Sequence, residues 1–167
     1  LEKMVKQLLL IRHGEAQDSQ GRPDAERELS AWGYQDMVRV GHYLKEQSWH
    51  PDVVFSSTAV RAMSTAQIVA EQIQYATQRI QSTSDLYEAS VRTFLSIINE
   101  QSNQISHIAT VGHNPTLTYL LEYLTGEEVG SMVPGGFALI EFTVENWAEV
   151  SQRTGSLVMH KSPTELK

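Results

Sequence analysis

The feature that most constrains the fold is an alternation of short apolar runs with longer segments of helical periodicity. Three runs have the length and continuous hydrophobicity of strands that are buried on both faces, and they cover residues 7–12, 52–56 and 107–111. Apolar residues at helical spacing predict helices over residues 31–47, 59–73, 91–101 and 115–124. This alternation predicts an α/β fold with a mostly parallel sheet.

Local signals refine the predicted elements. Ser30 is a suitable N-cap for the first helix, and Pro115 suits the first turn of the last one. Gly33 weakens the first helix by about 1 kcal/mol relative to alanine. Residues 79–87 fit either a short strand or a loop. Two final apolar runs, residues 137–144 and 156–160, predict an antiparallel pair at the edge of the sheet.

Length and composition exclude several classes of protein. The 167 residues fit one domain over residues 1–167, and 41% of them are apolar, which is enough for a packed core. The absence of cysteine rules out disulfides and thiolate chemistry. A net charge of −7 argues against a nucleic-acid partner. No apolar run is long enough for a membrane helix or a signal-peptide core, so we expect a cytoplasmic protein with no membrane partner. No apolar stripe remains after the core is assigned, which favours a monomer.

Polar groups follow three of the predicted buried strands. Arg12, His13 and Gly14 end the first, Ser56 and Ser57 with nearby Arg61 end the second, and a Gly-His-Asn-Pro segment containing His113 follows the third. Ligands of an open parallel sheet bind at the carboxyl ends of its strands. If these three strands are neighbours, two arginines and two histidines converge into a cationic cluster on an acidic chain.

Such a cluster suits phosphoryl transfer. Guanidinium groups such as those of Arg12 and Arg61 pair with phosphate oxygens by two hydrogen bonds at once. A histidine with an unprotonated nitrogen, such as His13, can attack phosphorus and form a covalent intermediate. His113 can donate to the oxygens on which the transition-state charge develops. Gly14 lets the main chain approach a phosphate closely.

Each of these residues also has a simpler explanation when it is taken alone. His113 could cap the helix that follows it, and Arg61 could form a surface ion pair with Glu71 or Asp52, worth about 0–1 kcal/mol. The prediction of a site therefore rests on the combination of three motifs in order and not on any one of them.

The combination resembles the histidine phosphatase superfamily. Its Arg-His-Gly signature is matched by residues 10–14, its second arginine motif by residues 56–66, and its second histidine motif by residues 112–115. The resemblance implies a three-layer α/β/α fold like that of phosphoglycerate mutases. It also implies that His13 is phosphorylated, that Arg12, Arg61 and His113 complete the phosphate pocket, and that Glu88 donates a proton. The resemblance implies neither a metal nor an organic cofactor.

Within the superfamily, the chain is most similar to the SixA family of phosphohistidine phosphatases. Residues 27–30 with Gly33, and residues 132–138, resemble segments of that family, although Glu28 stands where proline is common. The resemblance implies a phosphorylated protein as partner, such as a histidine phosphotransfer domain. Two alternatives stay open: a phosphomonoesterase or mutase acting on a small phosphorylated metabolite, and a non-catalytic module that binds phosphoproteins.

Overall fold

The computed structural model describes residues 5–166, which form a six-stranded sheet with helices on both faces. The strands of this part of the chain are β1 (Lys6–Arg12), β2 (Val53–Ser57), β3 (Gln81–Thr83), β4 (His107–Gly112), β5 (Phe137–Phe142) and β6 (Gly155–Lys161). The α-helices are α1 (Ala31–Glu46), α2 (Val60–Gln72), α3 (Val91–Asn99) and α4 (Thr116–Thr125). None of these helices is long and apolar enough to cross a membrane.

The sheet has the order β3-β2-β4-β1-β5-β6. Strands β3, β2, β4 and β1 are parallel to one another, whereas β5 and β6 are antiparallel to their neighbours. The predicted α/β fold with an antiparallel edge is thus confirmed. The ambiguous residues 79–87 contain the three-residue strand β3 and the 3₁₀ turn Ser84–Leu86.

The buried side chains of β1 show how the layers are held together. Leu9 and Ile11 pack into the cluster that includes residues of α1 and α2, whereas Leu8 and Leu10 pack with residues of α3 and α4. This division follows from the alternation of side chains along a strand. Each fully buried leucine or isoleucine stabilises the fold by about 1.5–3 kcal/mol. A continuous apolar run is therefore what a central strand covered on both faces requires.

The start of α1 lies against the segment that follows β1. The hydroxyl of Ser30 accepts a hydrogen bond from the Gly33 amide at 3.0 Å, which confirms the predicted cap. A Cβ atom on Gly33 would lie 2.1 Å from the main-chain oxygen of Glu15. That close approach leaves no room for a larger side chain and explains why glycine stands here despite its unfavourable helix propensity.

Candidate active site

The sheet order brings the three polar segments together at one edge. Strands β2, β4 and β1 are neighbours, and the register pairs Arg12 with Gly112 at the carboxyl ends of β1 and β4. His13 and His113 each follow the last residue of their strand, and their ring centroids lie 5.1 Å apart. Arg61 lies in the first turn of α2, just beyond β2. The predicted convergence of two histidines and two arginines is therefore present.

His13 is buried, and one nitrogen of its ring is unprotonated. Its Nδ1 lies 2.8 Å from the Gly14 carbonyl oxygen. Since a carbonyl only accepts, Nδ1 carries the proton of the neutral ring and Nε2 keeps its lone pair. Burial, together with the charges of Arg61 and Arg12, lowers the pKa of His13 to about 3. The ring is thus neutral near pH 7 and presents an unprotonated nitrogen.

The charges of both arginines act on the His13 ring, and Arg61 contacts this nitrogen directly. Arg61 Nε–H points at His13 Nε2 at 3.4 Å. Arg12 donates from Nη1 to the Met132 carbonyl at 2.8 Å, while its buried Nε has no partner among the described residues. Burial and the neighbouring Arg61 charge lower the pKa of Arg12. Two guanidinium groups that repel each other beside an unpaired donor favour an anion between them.

His113 is held by a hydroxyl of β2. Its Nε2 lies 2.8 Å from Ser57 Oγ, and Ser57 Oγ also accepts the Ala59 amide at 3.2 Å. Burial and the charge of Arg61 lower the pKa of His113 to about 4. His113 is therefore a neutral hydrogen-bonding group near pH 7, fixed in orientation by Ser57.

The ion-pair partner of Arg61 is a residue that the sequence did not indicate. The sequence offered Glu71 or Asp52, but Arg61 pairs with Asp24, whose Oδ2 lies 3.0 Å from Nη2. The simpler explanation for Arg61 therefore does not apply, and Asp24 reaches the site through the 3₁₀ turn Asp24–Glu26 of the loop between β1 and α1. Loop folding of this kind leaves no periodic signal in a sequence.

Tyr87 completes this network, and it too was not predicted. Its hydroxyl donates to Asp24 Oδ2 at 2.6 Å, and its ring stands edge-on to His113 with centroids 5.6 Å apart. The hydrogen bond from Tyr87 and the bonds from Arg61 and Arg27 hold the pKa of Asp24 well below its usual range. In the sequence, the one signal that Tyr87 belongs to the site was its position next to Glu88.

Glu88 lies at the rim of the cluster. It lines a cleft of about 280 Å³ that His113, Tyr87 and Phe94 also border. Its side chain is exposed and makes no hydrogen bond among the described residues. Glu88 thus borders the same cleft as His113, and its catalytic role stays a prediction.

Gly14 has a role in packing, in addition to its predicted role of letting the main chain approach a phosphate. Its amide donates to Thr65 Oγ1 at 3.1 Å. A Cβ atom there would lie 3.0 Å from Met37 Cγ and 3.1 Å from the Gly33 carbonyl oxygen. These contacts require a small residue for packing against α1, and its predicted role in binding phosphate stays a prediction.

Glu15 and Arg27, which could line the entrance of the site, have different hydrogen-bond partners. The Glu15 carboxylate accepts a hydrogen bond from the Ser30 hydroxyl at 3.1 Å, at the start of α1. Arg27 Nε donates to Asp24 Oδ1 at 3.0 Å and so joins the Asp24 network. Over residues 5–166, no group of three or more acidic or histidine side chains could hold a metal ion.

This geometry agrees with a family match. The family described as the histidine phosphatase superfamily (branch 1) matches residues 8–97, more than half of the chain. The chain belongs to the histidine phosphatase superfamily.

The curated relatives that match this chain by sequence match only part of it. Phosphoglycerate mutase 1 of Saccharomyces cerevisiae is 38% identical over 72 residues, which cover 40% of this chain. The chain spans only 27–28% of the length of the curated relatives that it matches.

The solved structures cover far more of the chain. The structure assigned as phosphohistidine phosphatase SixA from Nakamurella multipartitia has a TM-score of 0.85 and 24% identity, covering 95% of this chain and 96% of that one. The corresponding structure from Agrobacterium tumefaciens has a TM-score of 0.80 and 25% identity, covering 95% and 98%. The fold of the chain is thus similar to that of SixA proteins over nearly its whole length.

Proposed function

We propose that this histidine phosphatase removes phosphate from phosphohistidine on a signalling protein, through a covalent intermediate on His13. The observation that carries the proposal is the unprotonated Nε2 of His13, buried beside Arg12, Arg61 and His113. A neutral nucleophile surrounded by fixed donors is what in-line attack on a phosphoryl group requires.

The reaction has two displacements. In the first, His13 Nε2 attacks the phosphorus, a P–Nε2 bond forms, and the bond from phosphorus to the leaving group breaks. In the second, water attacks the same phosphorus, the P–Nε2 bond breaks, and inorganic phosphate leaves while the water proton is released. Arg12, Arg61 and His113 would donate to the three equatorial oxygens, on which the charge lies in the transition state.

The nature of the leaving group decides how much a proton donor matters. An imidazole that is already protonated departs neutral, whereas an alkoxide needs a proton as the P–O bond breaks. Glu88, at the rim of the cleft beside His113, would supply that proton for ester substrates. We therefore assign Glu88 a larger role with esters than with phosphohistidine.

The shape of the site favours a phosphate carried by a protein. Between Glu88 and His113 the chain forms only α3 and β4, so this segment contributes no capping insertion over the cleft. A site without a cap buries less of a small free ligand, which limits the affinity for it. The likeness to SixA structures supports the same substrate class, and a histidine phosphotransfer domain is the partner that we propose.

The second candidate is a phosphomonoesterase or mutase acting on a small metabolite. The 38% identity to a segment of yeast phosphoglycerate mutase 1 is the observation that favours it. A non-catalytic phosphoprotein-binding module is disfavoured, because the complete cluster of His13, Arg12, Arg61 and His113 is assembled.

The test compares phosphate release from a phosphorylated histidine phosphotransfer domain, an aryl phosphate, and a panel of sugar phosphates, nucleotides and phosphoglycerate. We expect fast release from the protein, and its loss in a His13→Ala variant that keeps the wild-type thermal stability. Efficient turnover of one metabolite with slow turnover of the protein would favour the second candidate instead. Failure to form phospho-His13 with any substrate would contradict the proposed chemistry.

The role of Glu88 has its own test in the variant Glu88→Gln. We expect a loss of about 10²-fold or more in kcat with the alkyl phosphate ester of the panel that turns over best, since a missing general acid costs this much. With phosphohistidine the loss should be much smaller. Equal losses on both substrates would contradict the distinction.

A further inference from the structure

The environment of Arg61 shows a feature that substrate binding alone does not explain. Its side chain is almost fully buried, with 6% exposed, and both terminal nitrogens are already engaged by one residue. Nη1 donates to the Asp24 main-chain oxygen at 2.8 Å, and Nη2 donates to Asp24 Oδ2 at 3.0 Å. The end of the guanidinium is thus clamped by Asp24.

This clamp determines which part of the guanidinium faces the nucleophile. With the Nη1–Nη2 end turned to Asp24, the Nε–H group points at His13 Nε2. A planar guanidinium that is fixed at one end cannot rotate about its long axis, so its Nε edge keeps one direction. A phosphoryl group on His13 Nε2 would meet this edge.

Asp24 is itself fixed by donors other than Arg61. The Tyr87 hydroxyl bonds to Oδ2 at 2.6 Å, and Arg27 Nε bonds to Oδ1 at 3.0 Å. The carboxylate is exposed at its outer side, but Tyr87 and Arg27, together with Arg61, determine its orientation. Asp24 is therefore pre-organised before any substrate arrives.

We infer that Asp24 is a positioning residue, which clamps the terminal nitrogens of Arg61 so that the Nε edge is presented to the phosphoryl group on His13. The inference rests on the proposed histidine chemistry but not on the identity of the leaving group. Asp24 acts through Arg61 and does not touch the phosphoryl group. A donor held in place before the reaction costs no reorganisation in the transition state.

The same contacts fit the opposite role for Asp24, and the experiment must distinguish the two roles. Asp24 could instead occupy the nitrogens that a substrate phosphate needs, and thus inhibit binding. Removal of the carboxylate would then strengthen oxyanion binding, whereas removal of a positioning residue weakens it. A third possibility is that Asp24 only balances a buried charge, in which case its loss lowers stability but leaves catalysis unchanged.

The experiment compares Asp24→Asn, Asp24→Ala and the matched control Glu26→Gln. Glu26 lies in the same 3₁₀ turn, and its carboxylate makes no hydrogen bond among the described residues, so this control removes one charge without touching Arg61. Asparagine at position 24 keeps an acceptor for Arg61 Nη2, whereas alanine removes it. The measurements are kcat and KM with an aryl phosphate, the dissociation constant of tungstate by calorimetry, and Tm.

We expect kcat to fall by about 10²-fold in Asp24→Ala, the loss that a displacement of about 1 Å in a catalytic group causes. Asp24→Asn should recover part of this loss, KM should change less than kcat, and tungstate should bind more weakly to both variants. Glu26→Gln should match the wild type in kcat, KM, tungstate binding and Tm. Unchanged or tighter tungstate binding, or a lower Tm with unchanged kcat, would overturn the inference. If the wild type hydrolyses no substrate, the proposed function fails, and tungstate binding still tests Asp24.

Discussion

The close approach of α1 to the segment after His13 allows a sharp test with a single methyl group. In a Gly33→Ala variant, the new Cβ would lie 2.1 Å from the Glu15 carbonyl oxygen and 2.9 Å from its amide nitrogen. Main-chain atoms cannot rotate away, so the segment must move by about 1 Å to reach ordinary contact. Glu15 is two residues from His13, and a displacement of this size in a catalytic group costs about 10²-fold in rate.

The effect on stability has two parts of opposite sign. Alanine gains about 1 kcal/mol over glycine in a helix. The overpacking costs about 1–3 kcal/mol. The net loss of unfolding free energy should thus be at most about 2 kcal/mol, too small to unfold a typical domain. We therefore expect Gly33→Ala to stay folded while its kcat with an aryl phosphate falls by about 10²-fold.

A second glycine of the same helix gives the control. In Gly41→Ala the new Cβ would lie 2.7 Å from Gln72 Cβ and 3.3 Å from Val69 Cα, so it meets α2 and not the segment after β1. We expect this variant to lose stability with kcat close to that of the wild type. Equal kcat losses in the two variants, or wild-type kcat in Gly33→Ala, would refute the argument that this contact positions His13.

Three further predictions concern the cluster itself. Replacing Arg12 or Arg61 with alanine should cost about 3 kcal/mol of transition-state stabilisation, so kcat near the wild-type value would contradict the phosphate pocket. NMR should show the rings of His13 and His113 neutral down to pH 5, because burial lowers their pKa values to about 3 and about 4; a midpoint above pH 5 would contradict this. Because these pKa values are lowered, both rings bind fewer protons in the folded state than in the unfolded state. Their contribution to the free energy of unfolding is therefore present above about pH 6.5 and is lost as the pH falls towards 3. Chelators should leave phosphate release unchanged, and activity that returned only on adding a metal ion would indicate another mechanism.

The sequence was sufficient for the fold class, for the bounds of most elements and for naming the residues at the core of the site. Continuous apolar runs identify central strands, because a strand covered on both faces excludes polar side chains. The observed bounds of the predicted helices and strands lie within two residues of the expected ones. Convergence of Arg12, His13, Arg61 and His113 was predicted on the condition that their strands are neighbours, because the carboxyl ends of neighbouring parallel strands share an edge. The sheet order meets this condition.

The residues that surround this core could not be predicted in the same way. Asp24 and Tyr87 are 63 positions apart in the sequence, and their hydrogen bond depends on how two loops fold against each other. Loops lack the periodicity from which contacts can be inferred. Strand β3 was ambiguous because it has only three residues, at the edge of the sheet, with no apolar pattern. The order of the strands also depends on crossovers that local patterns do not encode.

The pairing of β1 with β4 restricts how relatives of this enzyme can diverge. The spacing of His13 and His113 is fixed by main-chain hydrogen bonds, and a slip of one residue would turn every side chain of a strand to the opposite face. Intermediate spacings are not accessible, so mutation cannot tune this distance gradually. New substrate preferences should therefore arise in the loops around Asp24 and Tyr87, and a library for directed evolution should randomise the other residues of those loops and leave Asp24, Tyr87 and the strands unchanged.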